Sequence, residues 1–134
     1  MKKLLFLLAF LSVISIFSST ASSQTLYFCE GVDKSGYPIT ESSTFNIPRG
    51  GGYFYFLVRL PYEVGCRYVS YDIYDVYSDY SENYNTTITQ DDMGVDWTWF
   101  WKKVTFYESG YYHVYVRDCY GTTLASSYLT IKFK

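Results

Sequence analysis

Three tryptophans stand at every second position, Trp97, Trp99 and Trp101, with Thr98, Phe100 and Lys102 between and after them. On an unbulged strand that spacing sets three indoles on one face at intervals of roughly 6–7 Å. Exposed, such a row is a stacking platform for sugar rings or an apolar partner. The alternative is that the indoles fill the core, Lys102-Lys103 begins the exposed end, and Val104 and Phe106 continue the core after a bulge. Core filling is the commoner fate of large rings. Tyr53, Tyr55, Tyr111, His113, Tyr115 and Tyr128 form a second set, which would lie side by side if their strands share a sheet. Tyrosine suits recognition because it offers a large contact area and one hydroxyl at modest entropic cost. The competing reading is a solvated sheet stabilised by cross-strand aromatic pairs.

Other chemistry is sparse. His113 is the only histidine, so a multi-histidine metal site is impossible. No nucleophile-elbow motif accompanies it, and a plain surface histidine is expected there. Asp91, Asp92 and Asp96, with Asp75, Asp79 and Glu82 nearby, are oxygen donors of the type Ca²⁺ takes, but they lack EF-hand spacing and read as solvated loops. Asn85-Thr86-Thr87 is a glycosylation sequon if the source is eukaryotic. The sequence therefore predicts no catalytic residue, no cofactor and no metal, and a protein that is not an enzyme.

These side chains need strands to position them. Runs rich in β-branched and aromatic residues occupy 25–32, 43–47, 53–60, 66–77, 85–89, 97–107, 111–118 and 127–133, and no stretch after residue 23 keeps helical spacing for three turns. Turn chemistry separates them at Asp33-Lys34-Ser35-Gly36, at Pro48 to Gly52 and at Pro61 to Gly65. Alternation puts Phe54, Phe56, Val58 and Leu60 on a core face and Tyr53, Tyr55, Leu57 and Arg59 outside. Likewise Tyr112, Val114 and Val116 point inward and Tyr111, His113, Tyr115 and Arg117 outward. The expected fold class is all-β, a single antiparallel sandwich of about seven or eight strands.

Glu108-Ser109-Gly110-Tyr111-Tyr112-His113-Val114 resembles the acidic-x-Gly-x-Tyr-x-Cys stretch that leads into the F strand of immunoglobulin-like domains, with Val114 at the position of their second cysteine. That resemblance implies an immunoglobulin-like sandwich over 24–134 and a Tyr112 hydroxyl bonded to upstream backbone. Without the inter-sheet disulfide, the likeness is to cysteine-free relatives such as fibronectin type III and PKD-like modules. It also implies that the strand starting at Cys66 and the strand ending at Cys119 are antiparallel neighbours, so that Cys66 and Cys119 pair and Cys29 remains the odd thiol. A wider resemblance, through Leu26-Tyr27-Phe28-Cys29-Glu30, Phe45-Asn46-Ile47-Pro48 and Gly110-Tyr111-Tyr112, is to small secreted proteins of Gram-negative bacteria.

Lys2-Lys3, the apolar run from Leu4 to Phe17 and the small residues from Ser18 to Ser23 read as a cleavable signal peptide over 1–23. A secreted or periplasmic location follows, with no membrane span in the mature form. Beyond residue 23 there remain nine basic and 13 acidic side chains, which disfavours nucleic acid as a partner. The 27 aromatic residues among those 111 argue against disorder. The functional expectation is a binding domain presenting an aromatic Tyr/Trp sheet face to a protein or a glycan. A structural module with no ligand is the alternative.

Overall fold

The computed structural model describes residues 25–134; the expected signal peptide lies outside them. Nine strands, and no helix, are found among the described residues: β1 (Leu26–Val32), β2 (Pro38–Glu41), β3 (Thr44–Ile47), β4 (Gly52–Arg59), β5 (Val69–Val76), β6 (Glu82–Gln90), β7 (Trp99–Phe106), β8 (Gly110–Arg117) and β9 (Thr123–Phe133). One sheet has the order β2-β1-β4-β7 and the other β3-β9-β8-β5-β6. All pairings are antiparallel except that of β3 with β9.

The inward faces of the two sheets share one core, and its central contacts are between rings. Phe54 of β4 stacks on Phe45 of β3 at 4.1 Å and on Phe106 of β7 at 5.4 Å. Phe56 meets Tyr71 of β5 edge-on at 5.5 Å, and Phe106 meets Tyr112 of β8 at 5.3 Å. Phe54, Phe56, Phe100, Tyr71, Val58, Val114 and Leu129 are essentially inaccessible, and each such side chain contributes roughly 1.5–3 kcal/mol through apolar burial. Tyr112 donates its hydroxyl to the Glu108 carbonyl at 3.0 Å while its ring packs inward.

Two connections share one device. Asp33 Oδ1 accepts the backbone N–H groups of Ser35 and Tyr37, both at 2.9 Å, and Asp118 Oδ1 accepts those of Tyr120 and Thr122 at the same distance. Each turn closes on a glycine at φ 82°, Gly36 or Gly121, a conformation that disfavours any residue with a Cβ.

Cys66 and Cys119 are bonded, with their Cα atoms 5.8 Å apart. β5 follows the first and β8 precedes the second, and these strands are antiparallel neighbours. Cys29 is buried and free, and burial raises its thiol pKa. The expected seven or eight antiparallel strands are nine, with β3 parallel to β9; β9 begins at Thr123 and not at 127, and the other differences in bounds fall mainly at the sheet edges. β2 escaped the sequence reading because Pro38-Ile39-Thr40-Glu41 is short and opens on proline, as edge strands do. β6 begins earlier than expected because it is a polar edge strand with little alternation to read.

Replacing Cys66 and Cys119 together by serine should destabilise the folded state by about 4 kcal/mol on the chain-entropy model for so long a loop. Urea unfolding of the oxidised protein against the double variant measures it. Equal midpoints would show that the bond constrains nothing.

Candidate functional site

The register of β7 decides where Trp99 and Trp101 go, whereas Trp97, expected on the same strand, lies in the connection before it. Phe100, Val104 and Phe106 oppose Val58, Phe54 and Gly52 on the inward side, whereas Trp99, Trp101 and Lys103 oppose Arg59, Leu57 and Tyr55 on the outward side. No bulge interrupts this pairing, so core filling by the tryptophans does not occur. Trp97 and Trp101 are 40% and 46% exposed, and Trp99 is half-buried. Leu57 shares the outward face yet is buried, lying in register between Tyr27 and Trp101.

Glycines hold two of the rings. The Trp99 ring lies so close over Gly36 that a Cβ there would come within 2.3 Å of it, and the Trp97 ring lies over Gly94, where a Cβ would come within 2.5 Å of Nε1. Trp101 is met edge-on by Tyr55 at 5.4 Å. Arg59 donates to the Gly36 carbonyl and covers the Tyr37 ring at 4.0 Å, while Lys103 Nζ sits 4.0 Å over the Tyr53 ring.

Beside this row lies a cleft of about 640 Å³ lined by Trp97, Trp99 and Trp101 with Thr98, Gln90 and Asp96. Gln90, from the end of β6, is fixed at both ends of its amide. Its Oε1 accepts the hydroxyl of buried Tyr71 at 2.7 Å, and its Nε2 donates to the Trp101 carbonyl at 2.9 Å. One amide hydrogen is left over. The cleft thus combines flat apolar walls with a fixed amide and a carboxylate.

The expected single tyrosine face is two faces. Tyr53 and Tyr55 belong to the four-stranded sheet and join the tryptophans, whereas Tyr111, His113, Tyr115 and Tyr128 lie on the outer face of the five-stranded sheet. On that second face His113 is not a plain surface residue: it is 8% exposed, stacked on Tyr128 at 4.0 Å and tilted against Tyr115 at 4.1 Å. Tyr111 stacks on Tyr128 at 5.5 Å. Glu82 reaches across from β6, 2.8 Å from His113 Nδ1 and accepting the Tyr115 hydroxyl at 2.7 Å. These bonds hold the Glu82 carboxyl below its ordinary value, and burial with Glu82 beside it pushes the Tyr115 hydroxyl up to about 12. Arg117 pairs with Asp72 at 2.7 Å, and Asp72 also accepts from Thr87 at 2.7 Å. This face satisfies its own polar groups, whereas the tryptophan cleft leaves donors and acceptors open.

The acidic residues disperse. Asp75 accepts from Asn85 at 3.1 Å and Asp79 from Ser81, while Asp91, Asp92 and Asp96 stay in the β6–β7 connection. Among the described residues, no three His, Cys, Asp or Glu side chains converge as metal ligands. Sequence reading missed Gly36, Gly94 and Gln90. Gly36 was visible as a turn residue, but nothing local marks it as the seat of a ring 63 positions later.

No known protein family matches the sequence, and no curated protein matches it. A search of solved structures returns a superoxide reductase (neelaredoxin) from Ignicoccus hospitalis, at 12% identity and a TM-score of 0.44, covering 87% of this chain and 85% of that one. Two expectations are corrected accordingly. The structure returned is not an immunoglobulin, fibronectin type III or PKD-like module, nor a small secreted Gram-negative protein, so those assignments are withdrawn. It is also an enzyme, so the expectation of a protein without catalytic activity is withdrawn too. At this level of similarity no activity passes to the present chain.

Two predictions follow from the geometry. Gly36→Ala and Gly121→Ala impose a Cβ at the same φ, but only the first meets a ring, since nothing lies within 4 Å of Gly121. Gly121→Ala should cost about 1–2 kcal/mol from backbone strain. Gly36→Ala should cost more and also change the near-ultraviolet circular dichroism of the tryptophans. Equal losses with an unchanged spectrum would remove Trp99 from that contact. The second concerns Glu82, whose lowered pKa means the folded state holds fewer protons. It stabilises above its ordinary value of 4.5, and this contribution is lost as pH falls through the lower folded value. The stability gap between the protein and Glu82→Gln, by urea unfolding, should therefore be largest near neutrality and shrink in acid; a gap independent of pH would contradict the network.

Proposed function

We propose that this chain is an exported glycan-binding domain, secreted or periplasmic, whose ligand stacks on Trp97 and Trp101. The carrying observation is the open cleft of about 640 Å³ in which exposed indoles stand beside the Gln90 amide and the Asp96 carboxylate. A sugar ring has that chemistry reversed: C–H groups on its faces complement a π-system, and hydroxyls on its rim complement amides and carboxylates. Tyr53 and Tyr55 extend the same outward face, and Tyr111 and Tyr115 are left to the other sheet as structural residues. Among the described residues no helix is long and apolar enough to cross a membrane. The disulfide fits an oxidising compartment.

Affinity electrophoresis with hydroxyethylcellulose, a mixed-linkage β-glucan or glycol chitin tests the reading. At least one should retard the protein, and Trp101→Ala should abolish retardation while changing the melting temperature by no more than about 2 °C, as expected for a half-exposed ring. Retardation that survives in Trp101→Ala, or none with any of the three, contradicts it. Binding of a protein and not a glycan at this face would also refute it.

A further inference from the structure

The tryptophan cleft is not closed at Trp101. A second cavity of about 480 Å³ begins there, sharing Gln90 and Trp101 with the first and adding Asp91, Asp92, Lys102 and Lys103. A third, of about 630 Å³, shares Asp91 and Asp92 with the second and ends on Arg67 and Tyr68. Shared lining residues make the three cavities neighbours around the β6–β7 connection. Each lies within the roughly 300–1,000 Å³ typical of a small-ligand site, so together they exceed what one or two sugar rings need.

The lining changes from one cavity to the next. Indoles line the first, and exposed Tyr68 stands in the last. Between and beside them two cations, Arg67 and Lys102, accompany three carboxylates, Asp91, Asp92 and Asp96; Lys103 also lines this stretch, but its Nζ lies over the Tyr53 ring. None of these five makes an ion pair among the described residues. A floor that mixes strong donors with strong acceptors, unspent on one another, matches hydroxyls, which both donate and accept. A polymer of one charge would gain from one set of these groups and be repelled by the other. Gln90, clamped between Tyr71 and the Trp101 carbonyl, stands where the aromatic and polar segments join, with an amide hydrogen left for a ligand crossing from one to the other.

We infer that the ligand is an uncharged oligosaccharide chain, bound lengthwise, with one part stacked on the tryptophans and the next hydrogen-bonded in the Gln90–Lys102 segment. This rests on the glycan reading and adds length and charge to it. Lys102 is a specificity residue in this scheme, contacting only ligands long enough to pass Trp101.

Isothermal titration calorimetry with the cello- and chito-oligosaccharide series, disaccharide to hexasaccharide, tests it, with oligogalacturonate as the charged comparison. In at least one neutral series affinity should rise about tenfold or more with length and then level off. Lys102→Ala should bring the hexasaccharide back toward the disaccharide while leaving the disaccharide unchanged, and Asp91→Asn should act in the same direction. Circular dichroism checks that both variants fold. Equal affinity for short and long chains, no effect of either variant on the hexasaccharide, or tighter binding of oligogalacturonate overturns the inference while the glycan reading stands. Failure of every oligosaccharide to bind overturns both.

Discussion

The structure depends on a conflict over the inward face of β7. A strand offers alternate positions to each side, and on β7 the inward set is Phe100, Val104 and Phe106, all buried, with the half-buried Lys102 between them opposite Phe56. Phe106 lies against Phe54, Phe56 and Tyr112, so it joins both sheets. Moving the register by one residue would expose these rings and bury Trp99, Trp101 and Lys103 instead. Because the phenylalanines win the core, the indoles are forced outward, and the edge of the sheet carries an aromatic surface.

The molecule treats its two outer faces differently. On the five-stranded sheet the aromatic residues close on one another: His113 is sandwiched by Tyr115 and Tyr128, and Glu82 bonds both His113 and Tyr115. Such a satisfied network stiffens the sheet and leaves little for a ligand. On the four-stranded sheet the rings are instead propped over glycine, with Trp99 on Gly36 and Trp97 on Gly94. The cost of holding them is met by the rest of the fold. The β6–β7 connection that carries Trp97 is tied down by backbone bonds from Leu60, Val64 and Gly65 to Thr98, Trp97 and Val95, each at 2.8 Å. A cleft wall so fastened is preformed, which limits the ordering cost of binding.

Much of this was legible in the sequence, but unevenly. The faces of β4 and β8 follow from alternation at Phe54-Tyr55-Phe56 and Tyr112-His113-Val114, whereas the Cys66–Cys119 pairing came only as an implication of the immunoglobulin-like resemblance. The side of β7 was not legible, because Trp99-Phe100-Trp101 is aromatic at every position and offers no polar residue to mark the outside. Only the polar partners further along, Lys103 and Thr105, carry that parity. The split of the tyrosines between sheets depends on which strands pair, a long-range property that no local pattern encodes. Gln90 could not be found at all, since its role comes from Tyr71 and Trp101, distant in sequence and joined only by the packing of β5 beside β6 and the approach of β7.

The claim on which the account turns is that the exposed indoles of Trp97 and Trp101 are a recognition surface. It is tested most directly by following the three indole N–H resonances in a ¹⁵N-labelled sample titrated with a neutral β-linked oligosaccharide. The account predicts that the Trp97 and Trp101 signals move with the ligand while the backbone signals of Tyr111, His113 and Tyr128 stay in place. Indole signals that do not respond while those of the five-stranded sheet do would contradict it.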